Sequence, residues 1–145
     1  MGFFSKTCEY AMRAVFYIAC HSENGYRPGI KEIAENINSP EHFLAKILQK
    51  LSKEGIVSSI KGPNGGFFIE ANGLHRPLAD IITSLEGDEI FTGCGMGLSY
   101  CSETNPCPLH SEFKKVRNQL TQMLYSTTIG EFNEDLLSGA LTLKK

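Results

Sequence analysis

The chain has 145 residues, a formal net charge of −2 at neutral pH and a hydrophobic content of 41%. This length fits one domain, with or without an appended arm, and the composition is that of a globular protein, which excludes wholesale disorder. No apolar run is long enough to cross a membrane, and Lys6, Glu9 and Arg13 interrupt the first apolar stretch, unlike a signal peptide. We therefore expect a cytoplasmic protein whose thiols stay reduced.

The N-terminal third has the hydrophobic periodicity of short helices. Residues 5–21 predict a helix that is apolar over much of its surface, and residues 30–36 predict a second, shorter one. A third helix is predicted from Ser39 to Lys53, with Ser39 as a capping hydroxyl, a proline in the first helical position and an acidic residue next. Its predicted buried stripe is Phe43, Leu44, Ile47, Leu48 and Leu51.

Two apolar runs follow the third helix and predict a β-hairpin. Residues 56–60 and 67–70 have strand character, and the glycine-rich segment 61–66 between them predicts a tight turn. Two short helices followed by a hairpin are the order of elements in a winged helix-turn-helix. The predicted fold class is therefore mainly α with a small β-hairpin.

The C-terminal half predicts two further helices. One covers residues 77–86, and a longer one covers residues 109–125, where five apolar residues recur at helical spacing: Phe113, Val116, Leu120, Met123 and Leu124. A long amphipathic helix beyond a small domain has no evident packing partner in its own chain, so we interpret it as a dimerisation helix. The alternative is an ordinary helix that packs in the core of its own chain.

These elements divide the chain into three parts. Residues 1–87 form the predicted winged helix-turn-helix DNA-binding domain, residues 88–110 a cysteine-rich loop, and residues 111–145 the dimerisation helix and C-terminal tail.

A local excess of lysine supports DNA binding by the first part, although the chain as a whole is slightly acidic. Residues 42–61 contain Lys46, Lys50, Lys53 and Lys61 but only one acidic residue. Such a run alone is more typical of a solvated surface, but on a helix pair with a hairpin it favours double-stranded DNA as the partner.

The predicted DNA contacts follow from the way a recognition helix enters the major groove with its N-terminal residues toward base edges. Base edges would be read by Pro40, Glu41, His42, Ala45 and Lys46. Backbone phosphates would be contacted by Lys50 and Lys53, and the hairpin tip would contribute Lys61, Asn64 and Gly65.

Three cysteines and a histidine occur in one short segment with the spacing Cys-x6-Cys-x5-Cys-x2-His. They are Cys94, Cys101, Cys107 and His110, surrounded by glycine, serine, asparagine and proline. A segment so poor in apolar residues does not bury thiols in a packed core, and the reactivity of free cysteine then generally explains its presence. The segment is therefore predicted to bind a metal or an iron–sulfur cluster.

The chain resembles the Rrf2 family of winged-helix regulators, which includes regulators of the IscR, NsrR and CymR types. The resemblance is carried by three stretches, CEYAMRA at residues 8–14, FLAKILQKL at 43–51 and GIVSSIKGPNGG at 55–66, and by the cysteine loop with the helix after it. It implies a homodimer that binds a near-palindromic DNA operator. It also implies an iron–sulfur cluster held by Cys94, Cys101 and Cys107.

The resemblance offers two fourth ligands: His110, as in IscR-like members, or Glu9 from the partner subunit, as in NsrR-like members. The resemblance implies a 2Fe–2S cluster. The first cysteine spacing is one residue longer than the family pattern, so 4Fe–4S stays open as the alternative. Ala45 stands where IscR-like members carry glutamate, and Lys61 where arginine is common, so operator identity does not transfer.

The combined prediction is a homodimeric transcriptional regulator whose operator binding is controlled by a cluster that senses iron–sulfur status, nitric oxide or redox stress. Two alternatives remain open. A cluster-free regulator would use zinc or redox-active thiols, and a protein-interaction module would bind a partner enzyme in place of DNA. An enzyme is not expected, because the sequence has no nucleophile–base constellation, phosphate-binding loop or paired catalytic carboxylates.

Overall fold

The structure is a computed structural model that describes residues 2–145. Within that range the elements in chain order are α1 (Lys6–Ser22), α2 (Ile30–Ile37), α3 (Glu41–Lys53), β1 (Ser58–Ile60), β2 (Gly66–Phe68), a 3-10 helix (Ala71–His75), α4 (Ala79–Glu86), α5 (Glu89–Thr92), α6 (His110–Ser126) and α7 (Asn133–Ser138). The mainly helical class with one small antiparallel hairpin is confirmed. In this part of the chain no helix is both long and apolar enough to cross a bilayer.

Helix α1 lies at the centre of the molecule and packs on α2, α3, α4, α7 and β2. The hydroxyl of Ser5 caps its first turn by accepting from the backbone N–H of Cys8 at 3.1 Å. Val15 and Ile18, one turn apart, are fully buried. The largely apolar surface that the sequence predicts for this helix is therefore used inside a single chain.

The turn between α2 and α3 differs from the prediction. Asn38 ends α2 in the left-handed conformation, with a φ of 59°, and the backbone N–H of Ser39 donates to the carbonyl of Ala34 at 3.0 Å. Ser39 therefore closes the end of α2, and its buried hydroxyl has no hydrogen-bond partner among the described residues. The predicted Ser39 cap is wrong, since Pro40 occupies the cap position of α3.

Most of the stripe predicted for α3 is buried. Leu44 and Leu48 are fully buried, whereas Phe43 is 37% exposed and packs edge-on against Tyr10 with the ring centres 5.6 Å apart. Phe43 lies at the margin of the buried face, so the prediction that it is buried is wrong. Its ring instead shields the junction between α1 and α3.

The hairpin is shorter than predicted. Strands β1 and β2 pair antiparallel with Ser58 opposite Phe68, while Ile56 and Val57 precede the strand and enter the core. The backbone N–H of Phe67 donates to the carbonyl of Pro28 at 2.9 Å, so the segment before α2 lies along the open edge of β2. The hairpin is thereby fixed to the helix-turn-helix.

Helix α6 is anchored in its own chain at its C-terminal end. Leu124 is 1% exposed, and the backbone after the helix pairs with the segment before α4, where the Leu78 N–H donates to the Thr127 carbonyl at 2.9 Å. Val116 and Met123 remain 55% and 48% exposed. The expectation that this helix lacks packing partners in its own chain is therefore wrong for the face that carries Leu124. The face that carries Val116 and Met123 has no such cover among residues 2–145.

Candidate metal centre and nucleic-acid interface

The cysteine segment forms a loop between α5 and α6 that is fastened to α6. The Arg117 guanidinium of α6 donates to the carbonyl of Gly93 at 2.9 Å, and the backbone N–H of His110 donates to the carbonyl of Cys107 at 3.0 Å. Gly95 lies close to the Phe113 ring, where an added Cβ would come within 2.7 Å of ring carbons. The loop is therefore held at its start and at its end.

The four predicted metal ligands lie in two pairs. The Sγ atoms of Cys94 and Cys107 are 4.0 Å apart, and Cys101 Sγ lies 3.2 Å from Nδ1 of His110. Across residues 2–145, no three or more histidine, cysteine, aspartate or glutamate side chains form a group that could hold a single metal ion. Each predicted ligand thus lies close to one other predicted ligand and not to all three.

Cys94 is the thiol whose surroundings favour the thiolate. Backbone N–H groups, those of Met96 and Leu98 foremost, lower the pKa of Cys94 by hydrogen bonding to its sulfur, and the Met96 nitrogen lies 3.4 Å from it. A thiolate is both the metal-binding and the nucleophilic form of cysteine. The loop backbone therefore favours the form of Cys94 that binds metals and reacts as a nucleophile.

His110 begins α6 and is 8% exposed, so its ring is enclosed. Its Nε2 lies 3.2 Å from Oε2 of Glu103, within ion-pair distance but without hydrogen-bond alignment, and the other oxygen of Glu103 pairs with Lys114. Lys114 first, and then His110, lower the pKa of Glu103. The prediction did not include Glu103; its place inside the cysteine segment was the available signal.

The second predicted fourth ligand, Glu9, is paired within its own chain. Its Oε1 lies 3.2 Å from Lys6 Nζ, and its carboxylate lies against Gly2. The partner-subunit role of Glu9 stays a prediction. Nearby, Cys8 is 1% exposed and donates to Oε1 of Glu86 at 3.1 Å, while Cys20 is also buried, in keeping with packing roles for both thiols.

An open cavity of about 640 Å³ lies beside the loop. Cys94 and Cys101 line one side of it, and Leu98, Phe113 and Leu120 give it apolar walls. Each of the two ligand pairs thus has one member at a space that is reachable from outside.

The residues predicted to contact DNA lie on the surface of α3 and the hairpin. Exposed side chains on or next to α3 are Pro40, Glu41, His42, Ala45, Lys46, Lys50 and Lys53. At the hairpin tip Lys61 and Asn64 are exposed and Gly65 is half-buried. The ammonium of Lys50 donates to the carbonyl of Leu85 at the end of α4, at 3.2 Å, so this lysine also links α3 to α4.

Two further exposed cations, just before α2 and in its first turn, are absent from the prediction. Arg27 places its guanidinium 5.2 Å from the centre of the Phe68 ring on β2, and Lys31 is in the first turn of α2. The sequence feature that could have indicated both residues is their position, because Arg27 and Lys31 lie on either side of the predicted start of the second helix.

The sequence profile of the Rrf2 family, described as "Iron-dependent Transcriptional regulator", matches residues 4–135. The chain belongs to the Rrf2 family. This confirms the resemblance drawn from the three sequence stretches. A Rrf2 protein is a DNA-binding transcriptional regulator and not an enzyme, so the expectation that the chain is not an enzyme is confirmed by its family.

Curated proteins with similar sequences are also named as transcriptional regulators. A protein of Aquifex aeolicus (strain VF5), whose name provisionally assigns it to the HTH-type transcriptional regulators, is 36% identical over 129 residues, covering 87% of this chain and 88% of that protein. The HTH-type transcriptional regulator IscR of Klebsiella pneumoniae (strain 342) is 28% identical over 130 residues, covering 88% of this chain and 78% of IscR.

Solved structures share the fold. CymR (YrzC), the global cysteine regulator of B. subtilis, superposes with a TM-score of 0.73 at 23% identity, covering 94% of this chain and 99% of CymR. IscR of T. potens gives a TM-score of 0.72 at 24% identity, covering 96% and 91% of the two chains. The winged-helix fold class is thereby confirmed.

Proposed function

We propose that this Rrf2 protein is a homodimeric regulator whose affinity for a DNA operator is controlled by an iron–sulfur cluster held by Cys94, Cys101, Cys107 and His110. The observation that carries the proposal is the arrangement of these four ligands in two pairs. We expect a 2Fe–2S cluster, with 4Fe–4S as the alternative.

The pair distances fit two tetrahedral metal atoms. Around one such atom, with bonds of about 2.0–2.3 Å, two ligand atoms stand roughly 3.5–3.8 Å apart. The Cys94–Cys107 separation of 4.0 Å and the Cys101–His110 separation of 3.2 Å are both within a few tenths of an ångström of that range. Cys94 with Cys107 would hold one iron and Cys101 with His110 the other, whereas a single zinc would need all the ligands at one point.

His110 is the fourth ligand that the geometry supports better. Its Nδ1 already lies 3.2 Å from a cysteine sulfur, whereas Glu9 is paired with Lys6 in its own chain. Imidazole and thiolate both ligate iron–sulfur clusters. The Glu9 alternative would require the carboxylate to leave Lys6 and to reach the loop of the partner subunit.

The homodimer is supported by the exposed face of α6. Val116 and Met123 on this helix and Leu109 immediately before it recur every seven residues and are 55%, 48% and 52% exposed. An apolar stripe with a seven-residue period is the pattern that two helices bury against each other. Two copies joined along α6 would present two recognition helices to the half-sites of a near-palindromic operator.

A physical route connects the loop to the recognition helix. The C-terminal end of α4 contacts α3 through the Lys50–Leu85 hydrogen bond and contacts α1 through Glu86, which accepts from Ser5 at 2.8 Å and from Cys8 at 3.1 Å. Helix α5 and the cysteine loop follow directly. If the cysteine loop becomes ordered or disordered, the change would therefore act on α4, which contacts both α1 and α3.

When bound, a cluster supplies metal–ligand bonds that order the loop and that nitric oxide, oxygen or iron scarcity can remove. Operator affinity then changes only if the two loop states place α3 differently, since an effector shifts an equilibrium by its differential affinity for the two states. The contacts of α4 with α1 and α3 would carry that difference.

The test is anaerobic purification with measurement of iron, acid-labile sulfide and the visible spectrum. We expect stoichiometric iron and sulfide with charge-transfer bands, lost in Cys101→Ala and kept in the control Cys20→Ala, whose thiol is buried in α1. Wild-type protein that stays colourless after cluster reconstitution would refute the proposal. Equal operator binding by loaded and cluster-free protein would refute the control mechanism while leaving the cluster in place.

A second candidate function is a cluster-free thiol sensor, favoured by the 4.0 Å separation of Cys94 and Cys107 and by the lowered pKa of Cys94. Hydrogen peroxide would take two electrons and both thiol protons from the two cysteines, which leaves a disulfide and two molecules of water. The test is mass spectrometry of peroxide-treated, iron-free protein together with operator binding. A Cys94–Cys107 disulfide that changes operator binding would support the thiol sensor. Bound zinc in the same protein would support the structural-metal alternative.

A further inference from the structure

The two ring nitrogens of His110 face different chemical groups. Nδ1 lies 3.2 Å from Cys101 Sγ, on the side of the proposed cluster ligands, while Nε2 lies 3.2 Å from Oε2 of Glu103. The ring is 8% exposed, so water does not freely solvate it. Which nitrogen carries the proton therefore depends on these two neighbours.

A neutral imidazole has one N–H, and the nitrogen that binds a metal must be the other one. A carboxylate 3.2 Å from Nε2 favours a proton on that nitrogen, because its negative charge attracts the N–H dipole and it has no proton to donate. Metal-binding histidines are commonly oriented in this way by a second group on the far side of the ring. Glu103 is the acidic residue that the structure places at that position.

The carboxylate is itself held in place. Its other oxygen pairs with Lys114, which lies one turn after His110 on α6. Histidine and lysine thus approach Glu103 from the same helix, at positions i and i+4. The loop residue is fixed against the start of α6 by two contacts.

We propose that Glu103 is a positioning residue, held by Lys114, that keeps His110 in the Nε2–H form with the Nδ1 lone pair turned toward the sulfur of Cys101. The proposal rests on the proposed function for its purpose, but its physical content concerns the cluster-free chain. It predicts the protonation pattern of the ring before any metal is bound.

The first measurement is the ring ¹⁵N chemical shifts of His110 in the cluster-free protein at mildly alkaline pH. We expect the Nε2–H form to predominate in the wild type and in the control Glu112→Ala, which removes the comparable Glu112–Lys115 pair on the same helix. Glu103→Ala should shift the population toward Nδ1–H, and Glu103→Gln, which keeps an acceptor oxygen, should restore part of it. An unchanged pattern in Glu103→Ala overturns the proposal.

The second measurement is the rate at which the reconstituted protein loses iron to a chelator. Glu103→Ala should lose iron about tenfold faster than wild type, the lower end of the effect of removing such a partner, and Glu112→Ala should match wild type. Loss rates that are equal in Glu103→Ala and wild type count against the positioning role. If the wild type takes up no iron, the proposed cluster fails, and the ¹⁵N shifts alone decide the role of Glu103.

Discussion

At the scale of single residues, Gly66 determines how the hairpin meets the helix-turn-helix. Its φ is +153°, a region that side chains rarely adopt, and an added Cβ would come within 2.1 Å of the Arg27 carbonyl oxygen. The backbones of β2 and of the segment before α2 touch there with no room for a side chain.

We therefore expect Gly66→Ala to lower the free energy of unfolding by about 1–3 kcal/mol, since the substitution combines backbone strain with a steric clash. Gly29→Ala is the matched control, because that glycine has ordinary φ and open space around its Cβ position. Urea denaturation of both variants is the measurement. Equal stabilities would show that the close approach at Gly66 is not maintained.

A second residue-scale feature is the Cys8 thiol, whose burial and hydrogen bond to Glu86 raise its pKa from 9.0 to about 11. The folded state thus keeps the proton that the unfolded chain releases above pH 9. The stabilising contribution of this thiol is complete below pH 9 and is lost as the pH rises toward 11.

The predicted result is a steeper fall of stability with rising pH in the wild type than in Cys8→Ala over this interval. Other groups contribute equally to the slopes of both proteins, so their contributions cancel in the comparison. One of them is Tyr17, whose pKa is also raised by burial and by its hydrogen bond to Glu32. Denaturation midpoints at neutral pH and at several alkaline values provide the data. Parallel pH profiles would contradict the buried, protonated state of Cys8.

At the scale of elements, α3 and the hairpin divide the work of DNA binding that we propose. Helix α3 exposes His42, Ala45 and Lys46 on a surface suited to base edges, while Lys61 stands at the exposed tip of the hairpin. Lysine is a point charge without the planar fork of arginine, so it suits phosphate contact better than two-point base recognition.

Lys61→Ala should consequently weaken binding to operator and to random DNA by a similar factor and reduce the slope of log affinity against log salt by about one. Lys115→Ala, on the exposed surface of α6, serves as the charge-matched control and should leave the slope unchanged. Fluorescence anisotropy at several salt concentrations gives both values. A loss confined to the operator would instead assign Lys61 to base recognition.

At the scale of the whole molecule, one apolar surface is left uncovered along α6. Phe113, Leu120 and Leu124 turn toward their own chain, whereas Val116 and Met123 face outward. The same helix thus belongs to the core on one side and supports the proposed dimer on the other.

Val116→Asp should convert the dimer to a monomer and lower operator affinity by roughly a hundredfold, because the second half-site would no longer be engaged from a linked subunit. Gln119→Asp adds the same charge at an exposed polar position of α6 and should remain dimeric. Analytical ultracentrifugation reports the mass, and anisotropy reports the affinity. A Val116→Asp protein that stays dimeric would place the interface elsewhere.

The sequence by itself determined the helix-turn-helix, the hairpin and the composition of the candidate ligand set. Apolar periodicity locates α1, α2 and α3 to within a few residues, and the glycine-rich segment 61–66 locates the turn. These features depend on residues close together in the chain, so local patterns suffice to predict them. The 3-10 helix, α5 and α7 were not predicted, since each is too short to show a period.

Only the tertiary structure decided how distant residues meet. It placed Cys94 with Cys107 and Cys101 with His110, brought Glu103 to the far side of the imidazole, and left Phe43 at the margin of the core. Spacing along a flexible loop does not specify these pairings, because many loop conformations share the same spacing. The packing of the loop against α6 selects among them, and that selection gives the candidate site its two-pair geometry.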